Sequence, residues 1–418
     1  MAGYVEVEPG SSTRDRVCFA RTLWIRQFGT SGDEQAHSMV VDGNGDVLVA
    51  GETAGALPGQ SSAGGRDAFV RKYDAGGNEL WTRQLGTSGD DGAYAVAVDS
   101  SGNVLVGGFT HGPLHGQTHA GGADAFLCKY DASGTLLWTR QLGSTVHDGV
   151  RAVSVDHQGH VFVAGVTLGA LPGHSSSGSD DAFVRRYDAN GGLVWSRQLG
   201  TSLNDQAFAV SADADGSVAV AGYTAGTLPG QMNLGGQDAF VRRYDGAGNE
   251  LWTRQFGTLS DSDHAYGTSV SPDGRIFVAG ATRWALPGQP HAGEFDAFVR
   301  AYDPSGSAVW TRQFGTSNQE LAYAVSVDAN DRVLVAGAAW AALPGQLHSG
   351  GGDAFVRTYD ASGDVLSTHQ LGSSADDRAL SVSGHPNGIV VAGYTEGVLP
   401  GQTSAGRYDA FVIMLESP

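Results

Sequence analysis

Residues 93–143 read AYAVAVDSSGNVLVGGFTHGPLHGQTHAGGADAFLCKYDASGTLLWTRQLG, and this stretch decides the fold. Ala93–Asp99 alternates apolar and small residues, Ser100-Ser101-Gly102 is a tight turn, and Asn103–Thr110 is apolar again. A Gly/Pro-rich loop runs from His111 to Ala123. Asp124–Asp131 and Leu136–Gly143 then flank an Ala-Ser-Gly turn. Four short β-branched and aromatic runs separated by turn residues predict a four-stranded antiparallel sheet, and no part of the chain has a 3.6-residue period.

The unit repeats. Trp24, Trp81, Trp138, Trp195, Trp252 and Trp310 recur at spacings of 57, 57, 57, 57 and 58, with Ser367 as the seventh equivalent. Asp-Ala-Phe starts at Asp67, Asp124, Asp181, Asp238, Asp296, Asp353 and Asp409. Seven copies of a four-stranded unit predict an all-β fold, one seven-bladed β-propeller with four antiparallel strands per blade. A solenoid would need shorter units, and a sandwich would not need seven near-identical ones. The repeats overrule the two or three domains that 418 residues suggest.

The ends bear on closure. Leu23-Trp24-Ile25-Arg26-Gln27 is a fourth strand with no blade in front of it, and Asp409–Leu415 is a third strand with no fourth behind it. Residues 21–29 are therefore expected to complete the last blade and leave no open edge. The expected layout is an N-terminal extension at 1–20 and a single propeller at 21–415. The blades fall at 36–86, 93–143, 150–200, 207–257, 264–315, 322–372 and 379–415.

The composition includes 63 glycines without a Gly-X-Y period, which excludes collagen and reads as turns. Hydrophobic residues make up 41%, enough for a core, and no apolar run reaches membrane-spanning length. The formal net charge of -19 argues against nucleic acid and anionic membranes and leaves cations or basic partners open, with solubility as the plain reading. Met1 to Arg16 is polar and acidic without an apolar signal region, so the expectation is a cytoplasmic protein or one whose leader is absent from this sequence. Cys18 and Cys128 are the two cysteines. Cys128 replaces the arginine of the sister repeats (Arg71, Arg185, Arg242) and reads as a small buried residue.

Asp99-Ser-Ser-Gly-Asn-Val-Leu-Val-Gly-Gly, Gly121-Gly-Ala-Asp-Ala-Phe-Leu and Leu137-Trp-Thr-Arg-Gln-Leu-Gly, with their counterparts, resemble the bacterial seven-bladed propeller repeats often called SBBP repeats. The resemblance covers roughly residues 21–415. It implies the architecture and a secreted or cell-envelope location, and it brings no catalytic motif.

Motifs present in every blade read as structural. Asp67 and its equivalents are expected to accept backbone N–H groups of the preceding loop rather than form a ring of cation ligands. The tryptophans are expected to pack between blades, with Arg83 on the same strand face as Trp81. Asp42-Gly43-Asn44-Gly45 and its counterparts read as hairpin turns, since they lack the length and terminal Glu of a calcium loop.

Long loops between strands two and three and between blades share one face, and function is expected there. An acidic series occupies the inter-blade loops: Asp33, Glu34, Asp90, Asp91, Asp148, Asp205, Asp261, Asp263, Glu320, Asp376 and Asp377. It is expected to rim the central channel, where oxygen ligands would suit calcium, or to be a solvated rim. Arg283, Trp284 and Trp340 stand in neighbouring blades where sister loops carry small residues, and they are expected to form a binding platform. His111, His115, His119 and His174 are candidates for zinc or acid–base chemistry. No nucleophile elbow, Walker loop, Rossmann fingerprint or His-Glu-x-x-His motif is present.

The expected function is a non-enzymatic binding or scaffold propeller that holds a glycan, peptide or protein on its long-loop face. The alternative is a metal-assisted lyase or hydrolase with its site at the channel mouth.

Overall fold

Asp42 builds the first turn of its blade. Its Oδ1 accepts the backbone N–H groups of Asn44 (2.9 Å) and Asp46 (3.0 Å), and Gly45 takes a left-handed φ of 82°. The turn folds Glu34–Val41 back on Val47–Thr53 as an antiparallel pair. Asp99, Asp156 and Asp328 repeat the device. In the sixth blade the left-handed position holds Asp331 (φ 57°), the one non-glycine residue with positive φ among the described residues.

The structure, a computed structural model, describes residues 21–259 and 262–417. It contains seven four-stranded sheets in simple order. The first blade comprises Glu34–Val41, Val47–Thr53, Asp67–Tyr73 and Glu79–Leu85. In the last, Thr22–Phe28 is the fourth strand, antiparallel to Asp409–Glu416 with Gln27 opposite Phe411. The ring thus closes within one sheet made of both ends of the described chain. The expected extension at 1–20, including Cys18, lies outside the described residues.

The cores lie between blades. One cluster joins Val47, Val49, Leu57, Phe69 and Tyr73 of the first blade to Val390, Ala392, Val412 and Met414 of the last. The closing interface is therefore built like the other six. The tryptophans lock neighbours together as expected: Trp24 Nε1 donates to Ala75 O at 3.2 Å and Trp81 Nε1 to Ala132 O at 3.1 Å. Arg83 lies over the Trp81 ring at 5.6 Å and donates to Gly134 O at 2.7 Å. Cys128 is buried with Sγ 3.5 Å from Thr139 Oγ1, where Arg71 Nε meets Thr82 Oγ1 at 2.8 Å in the first blade. Burial pushes its thiol up to about 12.

Inner strands line the channel. Each shifts register after its third residue, as between Ala36 and Ser38, so its fourth residue is the extra member of a β-bulge. A bulge re-aims one side chain. Here it turns that residue into the channel in all seven blades.

Candidate functional site at the channel mouth

The acid at the head of each inner strand belongs to the scaffold. Glu34, Asp91, Asp148, Asp205, Asp263, Glu320 and Asp377 are all buried. Asp91 Oδ2 accepts the Thr87 N–H at 2.6 Å, and Asp205 and Asp377 accept Thr201 and Ser373 in the same way at 2.6 Å. Burial pushes the Asp91, Asp148, Asp205, Asp263, Glu320 and Asp377 carboxyls above their ordinary range, against the loop hydrogen bonds that lower them. The repeat aspartates behave as expected: Asp67 Oδ2 accepts the Ala63 N–H at 2.9 Å and the Gln84 amide at 2.7 Å. Gly86 separates the two carboxylates, and a Cβ there would collide with Asp67 Oδ1.

The expected carboxylate rim is therefore corrected. Asp91, Asp148, Asp205, Asp263 and Asp377 sit inside the loops because unpaired loop N–H groups need an acceptor there. Asp90, at the surface, and the half-buried Asp33 and Asp376 remain near solvent, and each is engaged. Asp90 caps the Arg66 N–H at 2.9 Å, Asp376 caps the Gly352 N–H at 2.6 Å, and Asp33 lies 3.8 Å from the Arg66 guanidinium. Asp261 lies outside the described residues. Among the described residues, no three His, Cys, Asp or Glu side chains converge to hold a metal.

The tryptophan platform is also corrected. Trp340 N–H donates to Gln319 O at 3.0 Å, as Ala54 does to Asp33. Trp284 O instead accepts from Gln313 Nε2 at 3.2 Å, as Gly55 O does from Gln84. The two tryptophans are one residue out of step and do not occupy corresponding loop positions. Trp284 is 56% exposed with its ring 5.4 Å from His291, and Arg283 lies over Phe295 at 5.7 Å. Trp340 is half-buried beneath Arg378 at 5.2 Å.

The four histidines do not converge either. His111 is exposed, its Nδ1 2.6 Å from Asp90 O and its ring 6.0 Å from His147. His115 is exposed on the loop. His119 Nδ1 lies 3.1 Å from Asp124, a contact that His291 and His348 repeat at 3.1 Å with Asp296 and Asp353. His174 Nε2 pairs with Ser196 Oγ at 2.9 Å, and burial with the nearby Arg185 and Arg197 lowers its proton affinity.

The site that sequence reasoning missed is the bulge position itself. His37, Tyr94, Arg151, Phe208, Tyr266, Tyr323 and Leu380 all line one cavity of about 430 Å³ at the channel. Two strand positions away in the same inner strands stand Gln35, Gly92, Gly149, Gln206, His264, Leu321 and Arg378. The bulge column varies from blade to blade, as do the long-loop residues such as Arg66, Ala123, Asp180 and Gln237, whereas the turns, the tryptophans and the Asp-Ala-Phe markers scarcely change. Aligning the seven copies and marking the divergent columns would have found these residues.

The wall they form has distinct sectors. Phe208, Tyr266 and Tyr323 follow one another at 5.5 and 5.6 Å between centroids. His264 backs them, 4.7 Å from Tyr223, with Nε2 2.7 Å from Gln237 Oε1 and Nδ1 2.9 Å from the Tyr266 hydroxyl. Burial brings this imidazole down to about 4, so it is neutral at pH 7. On the opposite side Tyr94 stacks on Phe109 at 5.3 Å and lies 4.9 Å from His37. Glu52 is pushed up by burial, but His37 and Arg66 together hold its carboxyl below the usual range. The mouth thus offers aromatic faces beside fixed polar groups, which suits orienting a ligand.

Comparisons with known proteins agree with this architecture. The Beta-propeller repeat (SBBP) family profile matches residues 23–57 and 80–115. The chain is 28% identical over 319 residues to Regulatory protein FlaEY of Caulobacter vibrioides, covering 73% of this chain and 31% of that protein. It is 21% identical over 496 residues to the WD repeat-containing protein L264 of Acanthamoeba polyphaga mimivirus, covering 89% of this chain and 36% of that protein. The chain spans about a third of the length of these relatives. Among solved structures, the Neurospora crassa Pan2 WD40 domain superposes with a TM-score of 0.54 at 13% identity, covering 97% of this chain and all of that one. That likeness shows the propeller fold.

Proposed function

We propose that the protein is a non-enzymatic binding propeller that takes a glycan, peptide or protein segment at the channel mouth of its long-loop face. The observation that carries this reading is the placement of variation. The blades share their turns, inter-blade locks and loop-capping acids, and they diverge on the long-loop face, both in the loops and at the bulge residues that line the mouth. The bulge side chains project into the cavity rather than a core, so they are free to be matched blade by blade to a ligand that breaks sevenfold symmetry. The scattering of the four histidines and the absence of a three-ligand cluster among the described residues favour recognition over metal-assisted chemistry. The name of the relative in C. vibrioides, a regulatory protein, accords with a binding role.

The test is a panel of glycans and free-ended peptides screened against the wild type and a Phe208→Leu/Tyr266→Leu double variant. Leucine is chosen because Leu380 already occupies this position in the last blade. Hits that vanish in the variant while its melting temperature holds support the reading. Hits that all survive would move the binding surface away from the mouth.

A further inference from the structure

Arg151 stands between Tyr94 of one neighbouring blade and Phe208 of the other, at the bulge level of the channel. Its guanidinium lies over the Tyr94 ring at 4.5 Å. It makes no ion pair among the described residues, and its buried Nε has no hydrogen-bond partner. The other arginines of the mouth are matched: Arg66 pairs with Glu52, and Arg378 lies 3.9 Å from Asp376. Several arginines of the blades lack a carboxylate partner, but Arg151, held by the Tyr94 side chain, is the one whose guanidinium lines the channel cavity. A partly buried charge left unpaired is costly, and a planar fork is preorganised for a carboxylate.

Space is available beside it. Gly149, in the same strand, stands where sister blades carry Gln35, Gln206, His264 or Arg378. A Cβ built on Gly149 would meet nothing closer than Phe109 Cβ at 3.9 Å. Gly149 thus puts no side chain beside Arg151, and the space a ligand would use there is the channel cavity, lined by Arg151, Tyr94 and Phe208.

We infer that this cavity receives the C-terminal end of a polypeptide, with the terminal carboxylate on Arg151 and an aromatic or aliphatic last side chain against Phe208 and Tyr266. The inference rests on the binding reading above and names its ligand class. Three observations select a chain terminus. The ring is closed, so a ligand reaches the bulge level only end-on from the mouth, and a C-terminus carries its charge at the tip. The apolar wall adjoins the cation, which fits a side chain one bond removed from the carboxylate. The net charge of -19 repels a polyanionic chain such as a polyuronate, whereas a single carboxylate on a neutral or basic tail escapes that field.

The experiment titrates the whole chain with the pentapeptide Lys-Lys-Gly-Ala-Phe as the free acid, the same peptide as its C-terminal amide, and a glucuronate-ended disaccharide, by calorimetry. The free acid is expected to bind roughly tenfold or more tightly than the amide, the loss of one charge-assisted pair. Arg151→Leu, which copies the Leu380 of the last blade, should bring the acid down to the amide's affinity and leave the amide unchanged. Equal affinities for acid and amide, a preference that survives Arg151→Leu, or no binding of either peptide would each overturn the inference, and tighter binding of the disaccharide would reassign the cavity to a sugar acid. The binding reading stands or falls separately, on whether any ligand of the broader panel needs Phe208 and Tyr266.

Discussion

Gln27 offers a direct test of ring closure, because its partners lie at the other end of the chain. Its Nε2 donates to Asp409 Oδ2 at 2.8 Å and to Gly397 O at 2.9 Å, and its Oε1 accepts the Leu399 N–H at 2.9 Å. Gln84 makes the same set in the first blade, with Asp67 at 2.7 Å, Gly55 O at 3.0 Å and Leu57 N–H at 3.0 Å, entirely within local sequence. Changing Gln27 to Ala removes one bond to a buried carboxylate and two to backbone groups of the loop. A bond to a charged partner contributes about 1.5–3 kcal/mol and a neutral one about 1. The half-buried position admits some compensating water, so the expected loss is about 2–3 kcal/mol. Urea unfolding of the two single variants reads the outcome, provided both show one cooperative transition. Equal losses for Gln27→Ala and Gln84→Ala are expected. A neutral Gln27→Ala beside a costly Gln84→Ala would refute the shared last blade.

Two further outcomes follow from single positions. Asp331→Gly should stabilise the protein by roughly 0.5–1 kcal/mol, since it relieves a left-handed residue that glycine fills in sister turns such as Gly45 and Gly274; a lower urea midpoint would show that the turn carries no strain. His264→Gln should flatten the acid limb of stability. The folded imidazole titrates at about 4 against 6.5 unfolded, so between those values the unfolded state binds more protons and stability falls as pH falls. Relative to the variant, the wild type should lose roughly 2–3 kcal/mol from pH 7 to pH 4. A gap between the two proteins that stays constant across that range would remove burial as the cause.

The propeller was legible because its signals are local and repeated seven times. Alternating strands, Asp-x-x-Gly turns and the Trp and Asp-Ala-Phe markers each follow from short-range chemistry, and the orphan strand at Leu23–Gln27 pointed to closure. The candidate site was less legible. Asp90 and Asp91 look alike in sequence, but one faces solvent and the other fills an orphaned loop donor, and the side of a strand's first residue depends on where pairing begins. Trp284 stands two residues before Leu286-Pro287-Gly288 and Trp340 three before Leu343-Pro344-Gly345, so the sequence already carries the one-residue offset that the backbone hydrogen bonds show. The bulge that aims Arg151 and Phe208 into the channel leaves no mark in a single copy, since any residue fits the fourth position.

That freedom is also why the bulge position carries the functional argument. At a residue such as Gly86, any side chain would strike the carboxylate that caps the loop, so the structure itself holds the identity fixed in blade after blade. At the bulge the backbone already accommodates one unpaired residue, and the side chain projects into a cavity rather than a core. Packing there accepts His37, Arg151, Phe208 or Leu380 with equal ease. Stability therefore cannot explain which residue stands in which blade. Under the proposed binding role, the run of Arg151, Phe208, Tyr266 and Tyr323 round four successive blades is the arrangement a ligand that meets each blade differently would select.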